Sequence, residues 1–287
     1  MLLFGELQEL NTIINLVKLF NPLIGIRIIL KNRDLLFQLV KRNIASRYKG
    51  SVLGLFWSLA QPLMMLTVYT FVFGVIFKAR WGIDTGDSKA AFAIIMFCGM
   101  SVFNIFSESV AGSCGIIVGN ANYVKKVIFP LEILPIAQVS AATILTFVWF
   151  GLLFLGAIIF LKSLAWTMLL LPLVLIPLIL LSCGLGFLVA SLSVFFRDLQ
   201  HLIGIIIQIL FFMTPIFYPI QAIPEKYRWV LELNPLSLIV EQARAVFLYG
   251  KMLDCTMYAT SLLISLVMFQ LGLVWFIKTK KGFADVL

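Results

Sequence analysis

The chain has 287 residues, of which 62% are apolar and 12% charged, with a mean hydropathy of +1.07. Such values exclude a water-soluble globule and describe a polytopic membrane protein. The Lys and Arg behind the net charge of +9 fall mostly before the first span and on one side of those that follow, which points to membrane orientation and anionic headgroups and argues against a nucleic-acid partner.

Residues 2–20 place Leu3, Leu7, Leu10, Ile14 and Val17 on one helical face. Glu6 and Glu9, with no A-x-A pattern, argue against a secretory signal, and Lys18, Asn21, Pro22 and Arg27 interrupt any span. Residues 1–32 are therefore expected to be a cytoplasmic or interfacial segment. In residues 33–50, Asp34, Gln38, Lys41, Arg42 and Lys49 share one helical arc. Leu36, Phe37, Val40, Ile44 and Tyr48 lie opposite, with Arg47 the exception. A helix of that kind lies in the headgroup plane. It reads as a lipid anchor, or more sharply as a place where Lys41, Arg42 or Arg47 meets the phosphate of a substrate entering from that leaflet.

From Ser51 onward six stretches suit a bilayer crossing: Val52–Phe77, Ala91–Ile117, Ile136–Leu161, Trp166–Phe195, Leu199–Tyr218 and Thr256–Ile277. A helix rises about 1.5 Å per residue, so about 20 apolar residues cover a hydrocarbon core about 30 Å thick. Barrel strands alternate and run only about 10 residues, so they do not fit these runs. The expected fold is an all-α bundle of six transmembrane helices over residues 51–287. Lys18, Arg27, Lys31, Arg33, Lys41, Arg42, Arg47 and Lys49 precede the first span; Lys125, Lys126, Arg197, Lys278, Lys280 and Lys281 thread to the same side. Both termini are accordingly expected in the cytoplasm.

The loop from Lys78 to Lys89, with Trp81, Asp84 and Asp87, is polar and falls on the outer side. In the second span Ser101, Asn104, Glu108 and Gly112 recur at three- or four-residue steps. A carboxylate at mid-bilayer costs about 2.5–3.5 kcal/mol on insertion scales, so Glu108 must face protein or water. A structural or pore-lining role suits it better than proton coupling, which needs more titratable partners at that depth. The turn Asn120-Ala-Asn-Tyr-Val-Lys-Lys-Val-Ile-Phe-Pro-Leu-Glu-Ile-Leu-Pro135 then separates two spans. It is longer than a reversal requires, and Pro130 interrupts it. A dibasic, apolar-faced turn of this length is a surface for a partner to push on.

The fourth span carries Pro172 and Pro177 and is rich in Ser182, Gly184, Gly186, Ser191 and Ser193, the residues that allow close helix approach. In the fifth, His201 lacks carboxylate neighbours and is read as a packing or hydrogen-bonding residue. Residues 214–253 are too polar to span, with Glu225, Lys226, Arg228, Glu232, Glu241 and Arg244, and too apolar for an ordinary loop. Two short helices hinged at Asn234-Pro235 and dipping back from the outer face fit this pattern, as an outer gate or as an interfacial anchor.

No catalytic residue and no metal site is expected. Tyr249-Gly-Lys-Met252 fails the nucleotide-binding G-x-x-x-x-G-K-[ST] pattern, and H-E-x-x-H, G-x-S-x-G and paired carboxylates are missing. Cys98, Cys114, Cys183 and Cys255 have neither metal-ligand spacing nor a disulfide pattern. The chain therefore reads as a transport subunit and not an enzyme, holding no cofactor and drawing work from a partner through the 120–135 turn.

Several segments resemble the permease subunits of type-2 ATP-binding-cassette exporters. They are Arg47-Tyr-Lys-Gly-Ser-Val-Leu-Gly54, Val124-Lys-Lys-Val-Ile-Phe-Pro-Leu-Glu-Ile-Leu-Pro135, Phe196-Arg-Asp-Leu199, Phe212-Met-Thr-Pro-Ile-Phe-Tyr-Pro219 and Leu233-Asn-Pro-Leu236. The likeness is nearest to permeases exporting lipid-linked O-antigen, capsule and teichoic acid, and it runs from about Arg33 to the C-terminus. It implies two copies of this chain with two ATPase subunits that carry the ATP and Mg, in the inner membrane of a bacterium. Within residues 120–130, Asn122, Tyr123, Val124, Lys125, Lys126, Val127, Ile128 and Phe129 would match the coupling helix. Residues 34–49 would match an interface helix, and residues 219–250 a re-entrant gate containing Pro219, Pro224, Arg228, Asn234 and Pro235. The channel would lie between the copies. Phe71, Phe103, Asn104, Glu108, Gln208, Phe211, Phe212 and Tyr218 are expected to line it, the aromatics chosen by helical face. The implied cargo is an undecaprenyl-diphosphate-linked polysaccharide, O-antigen by preference. Teichoic acid, capsule, or a drug or small lipid on the same fold are the alternatives. A membrane-embedded transferase or secondary carrier is disfavoured by the lack of acidic pairs and internal repeats.

Overall fold

A computed structural model describes residues 23–51, 53–76, 89–125, 129–161 and 165–287, all helix, turn or loop with no strand among them. The expected apolar face of residues 2–20 and the outer loop 78–88 lie outside the described residues. Helices α1 (Leu23–Lys31) and α2 (Arg33–Tyr48) precede α3 (Trp57–Tyr69), which continues as a π-helical turn, Thr70–Ile76. Next come α4 (Lys89–Ser113), the short α5 (Ala121–Lys125), and α6 (Ile133–Gly156), extended by Ala157–Leu161. They are followed by α7 (Leu171–Phe195), α8 (Leu199–Met213), α9 (Glu225–Glu232) and α10 (Pro235–Phe247). The last are α11 (Cys255–Thr279) and α12 (Phe283–Val286).

Five helical segments are long and apolar enough to cross a membrane: Trp57–Ile76, Ala90–Ser113, Ile133–Leu161, Trp166–Phe195 and Cys255–Val286. The fifth expected span, Leu199–Tyr218, is shorter than the sequence indicates. It ends at Met213 and not at Tyr218, because Pro215 disfavours helical backbone before it and Thr214 is extended, with φ −92° and ψ 137°. Its 15 residues rise about 22 Å, against about 30 Å of hydrocarbon. The second span likewise stops at Ser113 and not at Ile117. Gly115 adopts φ 73°, and its N–H donates to Ser193 Oγ at 2.9 Å, turning the chain out of the helix.

Helix α4 is the buried axis, packed between α6 and α7, with Val102, Ile105 and Phe106 almost wholly enclosed. The small residues of the fourth span do permit close approach, against α11. A Cβ built on Gly272 would stand 2.0 Å from the carbonyl oxygen of Gly184, and one on Gly184 would stand 2.5 Å from that of Met268. Backbone meets backbone there, and neither helix can yield cheaply. Gly272→Ala is expected to destabilise the fold by about 1–3 kcal/mol through overpacking. Gly151→Ala, which meets nothing within 4 Å, should be neutral. Thermal unfolding of the two purified variants checks the difference.

Candidate coupling and transport site

Helix α2 and the turn around α5 meet at the basic end of the bundle. Arg42 Nη1 donates to Tyr123 Oη at 3.0 Å, Arg42 Nη2 donates to Asn120 Oδ1 at 3.2 Å, and the guanidinium carbon lies 5.9 Å from the Tyr123 ring centroid. Phe129 stacks on the other part of this arrangement, its ring 4.4 Å from that of Tyr123 and inclined by 7°. Tyr123, Val124 and Phe129 pack against a buried cluster containing Leu39, Val40, Ile133 and Phe283. Asn122 and Lys125 are exposed. Of the residues expected to engage a partner, the turn thus presents Asn122 and Lys125 outward and holds Tyr123, Val124 and Phe129 at its base. Lys126, Val127 and Ile128 lie outside the described residues. The end of the chain braces the same turn: Lys125 Nζ donates to the main-chain oxygen of Leu287, and Lys280 pairs with the buried carboxylate of Glu132. Burial raises the Cys114 thiol pKa at this end of the bundle, the Ser193 hydroxyl opposing it in part.

The three cations of α2 expected to meet phosphate serve different neighbours. Lys41 lines an apolar groove of about 700 Å³ between α2 and α6, with Leu36, Phe37, Val40, Ile44 and Ile144. Within the expected apolar face, Val40 is buried but Phe37 remains 71% exposed in that groove. Arg42 faces the turn. Arg47 Nη2 donates to Glu108 Oε1 at 2.6 Å, both side chains about one-third exposed. Glu108 therefore faces a cation supplied by α2, which answers the cost of placing a carboxylate within a span.

A cavity of about 270 Å³ lies between α3, α4 and α8. It brings together Phe103, Asn104, Gln208 and Phe211, four of the residues expected to line a channel, and adds Tyr69, Ser107 and Trp149. Glu108 belongs to an adjoining small cavity that shares Asn104 and Trp149. Phe103 and Phe211 are in ring contact at 5.1 Å, Phe211 and Phe212 at 5.6 Å, and Phe217 joins Phe211 edge-on at 5.0 Å. Tyr218 Oη donates to the carbonyl of Phe212 at 2.7 Å, closing the bend after α8. Phe71 lies apart, exposed on the π-helical turn that continues α3, while Tyr69 and Phe73 face inward to Phe217.

At the opposite end of the bundle, Asn234 caps α10: its Oδ1 accepts from the Leu236 N–H at 3.0 Å, and its Nδ2 donates to Thr214 Oγ1 at 3.3 Å. Pro235 occupies the first turn of α10, where its missing N–H costs nothing. Pro219 precedes the 3₁₀ turn Ile220–Ala222, and Pro224 precedes α9. Arg228 donates to the carbonyls of Ile223 and Gln221 at 3.0 and 3.3 Å, fixing the turn ahead of its own helix.

The strongest polar anchor in this part of the molecule is one that sequence reasoning did not single out. Arg244 is completely buried in α10. It donates to the carbonyls of Pro215 at 2.6 Å, Ile216 at 3.0 Å and Ile95 at 3.3 Å, and to Glu241 Oε1 at 2.8 Å. One guanidinium thereby satisfies the non-helical backbone after α8 and ties it to α10 and α4. The available signal was an Arg three residues after a Glu within an otherwise apolar helix.

Residues 34–248 match the sequence pattern of the family described as ABC-2 type transporter. The chain is 29% identical over 267 residues to an O-antigen export system permease protein RfbA of Klebsiella pneumoniae, covering 88% of this chain and 95% of that one. It is 27% identical over 263 residues to the protein of the same name in Myxococcus xanthus, covering 91% and 98%. The polysialic acid transport protein KpsM of Escherichia coli is 26% identical over 218 residues, covering 73% and 79%.

Proposed function

Because this chain belongs to the ABC-2 type transporter family, we propose that it is the membrane permease of an ATP-driven exporter whose cargo is an undecaprenyl-diphosphate-linked polysaccharide of the O-antigen kind. The observation that carries this reading is the alignment of almost the whole chain with permeases named for O-antigen export, in two organisms. The aromatic cavity supports it. Rings cover the apolar faces of sugars without demanding fixed hydrogen bonds, so a polymer can slide past Phe103 and Phe211.

In this reading the exposed Asn122 and Lys125 dock into an ATPase subunit, two of which serve two copies of the permease. The apolar faces of α3 and α8, where Leu63, Met64, Val68, Ile205 and Ile209 are exposed, border the aromatic cavity. A second copy against them would enclose a channel. The protein sits in the inner membrane of a bacterium with both termini in the cytoplasm, and residues 219–250 form the outer gate. Capsular polysaccharide is the second reading, and the resemblance to KpsM, named for polysialic acid transport, supports a polysaccharide other than O-antigen. Deleting the gene should trap lipid-linked O-antigen inside the cell. Restoring it should return the polymer to the surface only beside an ATPase with an intact nucleotide site. Loss of capsule with normal O-antigen would select the second reading.

A further inference from the structure

The Arg47–Glu108 pair stands between two cavities of different character. One, of about 240 Å³, is lined by Asn43, Arg47, Gln138 and the apolar Ala141, Ala142 and Leu145. It holds the Asn43 amide, the Arg47 guanidinium and the Gln138 amide, whose Nε2 donates one of its two protons to the Glu108 main-chain carbonyl at 3.2 Å, and no carboxylate, an inventory suited to an anion. The other is a small polar cavity where Arg47 and Glu108 are joined by Ser58, Gln61 and Asn104. Arg47 belongs to both. The pair closes at 2.6 Å but is not sealed from its surroundings, so its partner can be exchanged.

We propose that Glu108 is the resting counter-ion of a phosphate receptor centred on Arg47, and that a cargo phosphate arriving in the Asn43–Arg47–Gln138 cavity displaces it. This rests on the reading of the cargo as lipid-diphosphate-linked. A planar guanidinium takes phosphate oxygens in a paired geometry, and a diphosphate carries more charge than the single carboxylate it replaces. The released carboxylate stays beside the hydroxyl and amide groups of Ser58, Gln61 and Asn104. The exchange also changes what holds α2. While Glu108 is bound, α2 is pinned to α4 at Arg47 and to the α5 turn at Arg42, sites about 7.5 Å apart along the helix. When phosphate takes Arg47, the bond to α4 is given up and the bond to the turn remains. Cargo arrival is thereby sensed at the surface proposed to dock the ATPase.

The test uses the complete complex of permease and ATPase in nanodiscs of zwitterionic lipid. ATP hydrolysis is titrated with undecaprenyl diphosphate, and in separate arms with inorganic pyrophosphate and with phosphatidylglycerol. Hydrolysis by the wild type should rise with undecaprenyl diphosphate. Glu108→Gln removes the competing charge and should lower the half-saturating concentration about tenfold, whereas Arg47→Gln should raise it at least tenfold. Glu108→Asp, with its shorter reach, should fall between wild type and Glu108→Gln and serves if the glutamine variant assembles poorly. Glu108→Gln and Glu108→Asp that respond like the wild type, or that lose the response as Arg47→Gln does, would overturn the exchange and make the pair a strut. An equal response to phosphatidylglycerol would overturn the assignment to cargo. A wild type that ignores undecaprenyl diphosphate but answers a different cargo would instead remove the lipid-diphosphate reading on which the exchange depends.

Discussion

Replacing Arg244 with alanine is expected to destabilise the permease by about 3–5 kcal/mol, the cost of leaving a charge partner and buried acceptors without their donor. Truncation leaves the carbonyls of Ile95, Pro215 and Ile216 without their donor and removes the partner of the partly exposed Glu241 carboxylate. Arg244→Lys should rescue little, because one ammonium cannot span the four acceptors that the fork reaches. Glu241→Gln should be milder, since its partner keeps three carbonyls. Arg228→Ala, on the more exposed α9, should cost about 1 kcal/mol or less. Thermal unfolding of the purified variants, with surface polysaccharide as the cellular readout, ranks the four. Equal effects for Arg244 and Arg228 would show that the bend after α8 does not depend on its buried arginine.

Substituting Asn122 with arginine is expected to abolish coupled ATP hydrolysis while leaving the permease folded and abundant. Val124→Asp should act differently. Val124 packs beneath the turn in the cluster with Leu39 and Phe283, so an aspartate there places a charge in an apolar site and lowers the amount of folded permease. Asn122 stands outward on the same short helix, where a longer cation meets only a docking partner. Co-purification with the ATPase and membrane abundance, measured together, separate the two effects. If Asn122→Arg leaves ATPase association intact, the docking surface is elsewhere.

Much of this architecture was legible in the sequence because the physics is local. Apolar run length gives the long helices, and the run of small residues in the fourth span points to the backbone contact later found between Gly184 and Gly272. The fifth span was overextended because composition continues apolar through Ile216 and Phe217, whereas Pro215 ends the helix at Met213. Pairings were hidden where partners are remote. Arg47 and Glu108 are 61 positions apart, and Lys280 and Glu132 are 148 apart. Arg244 binds main-chain carbonyls, which leave no side-chain signature. Phe71 shows another limit. A π-helical turn from Thr70 changes the residues per turn, so a face assigned on α-helical spacing drifts, and Tyr69 and Phe73 turn inward instead.

The central claim is that this chain conducts and a separate ATPase drives. It is tested most directly by reconstituting the permease in vesicles with fluorescent lipid-linked polysaccharide, with and without the ATPase subunit, and following ATP-dependent movement of polymer across the bilayer. The account predicts movement only when the ATPase with an intact nucleotide site is present. Uphill transport or nucleotide hydrolysis by the permease alone would contradict it.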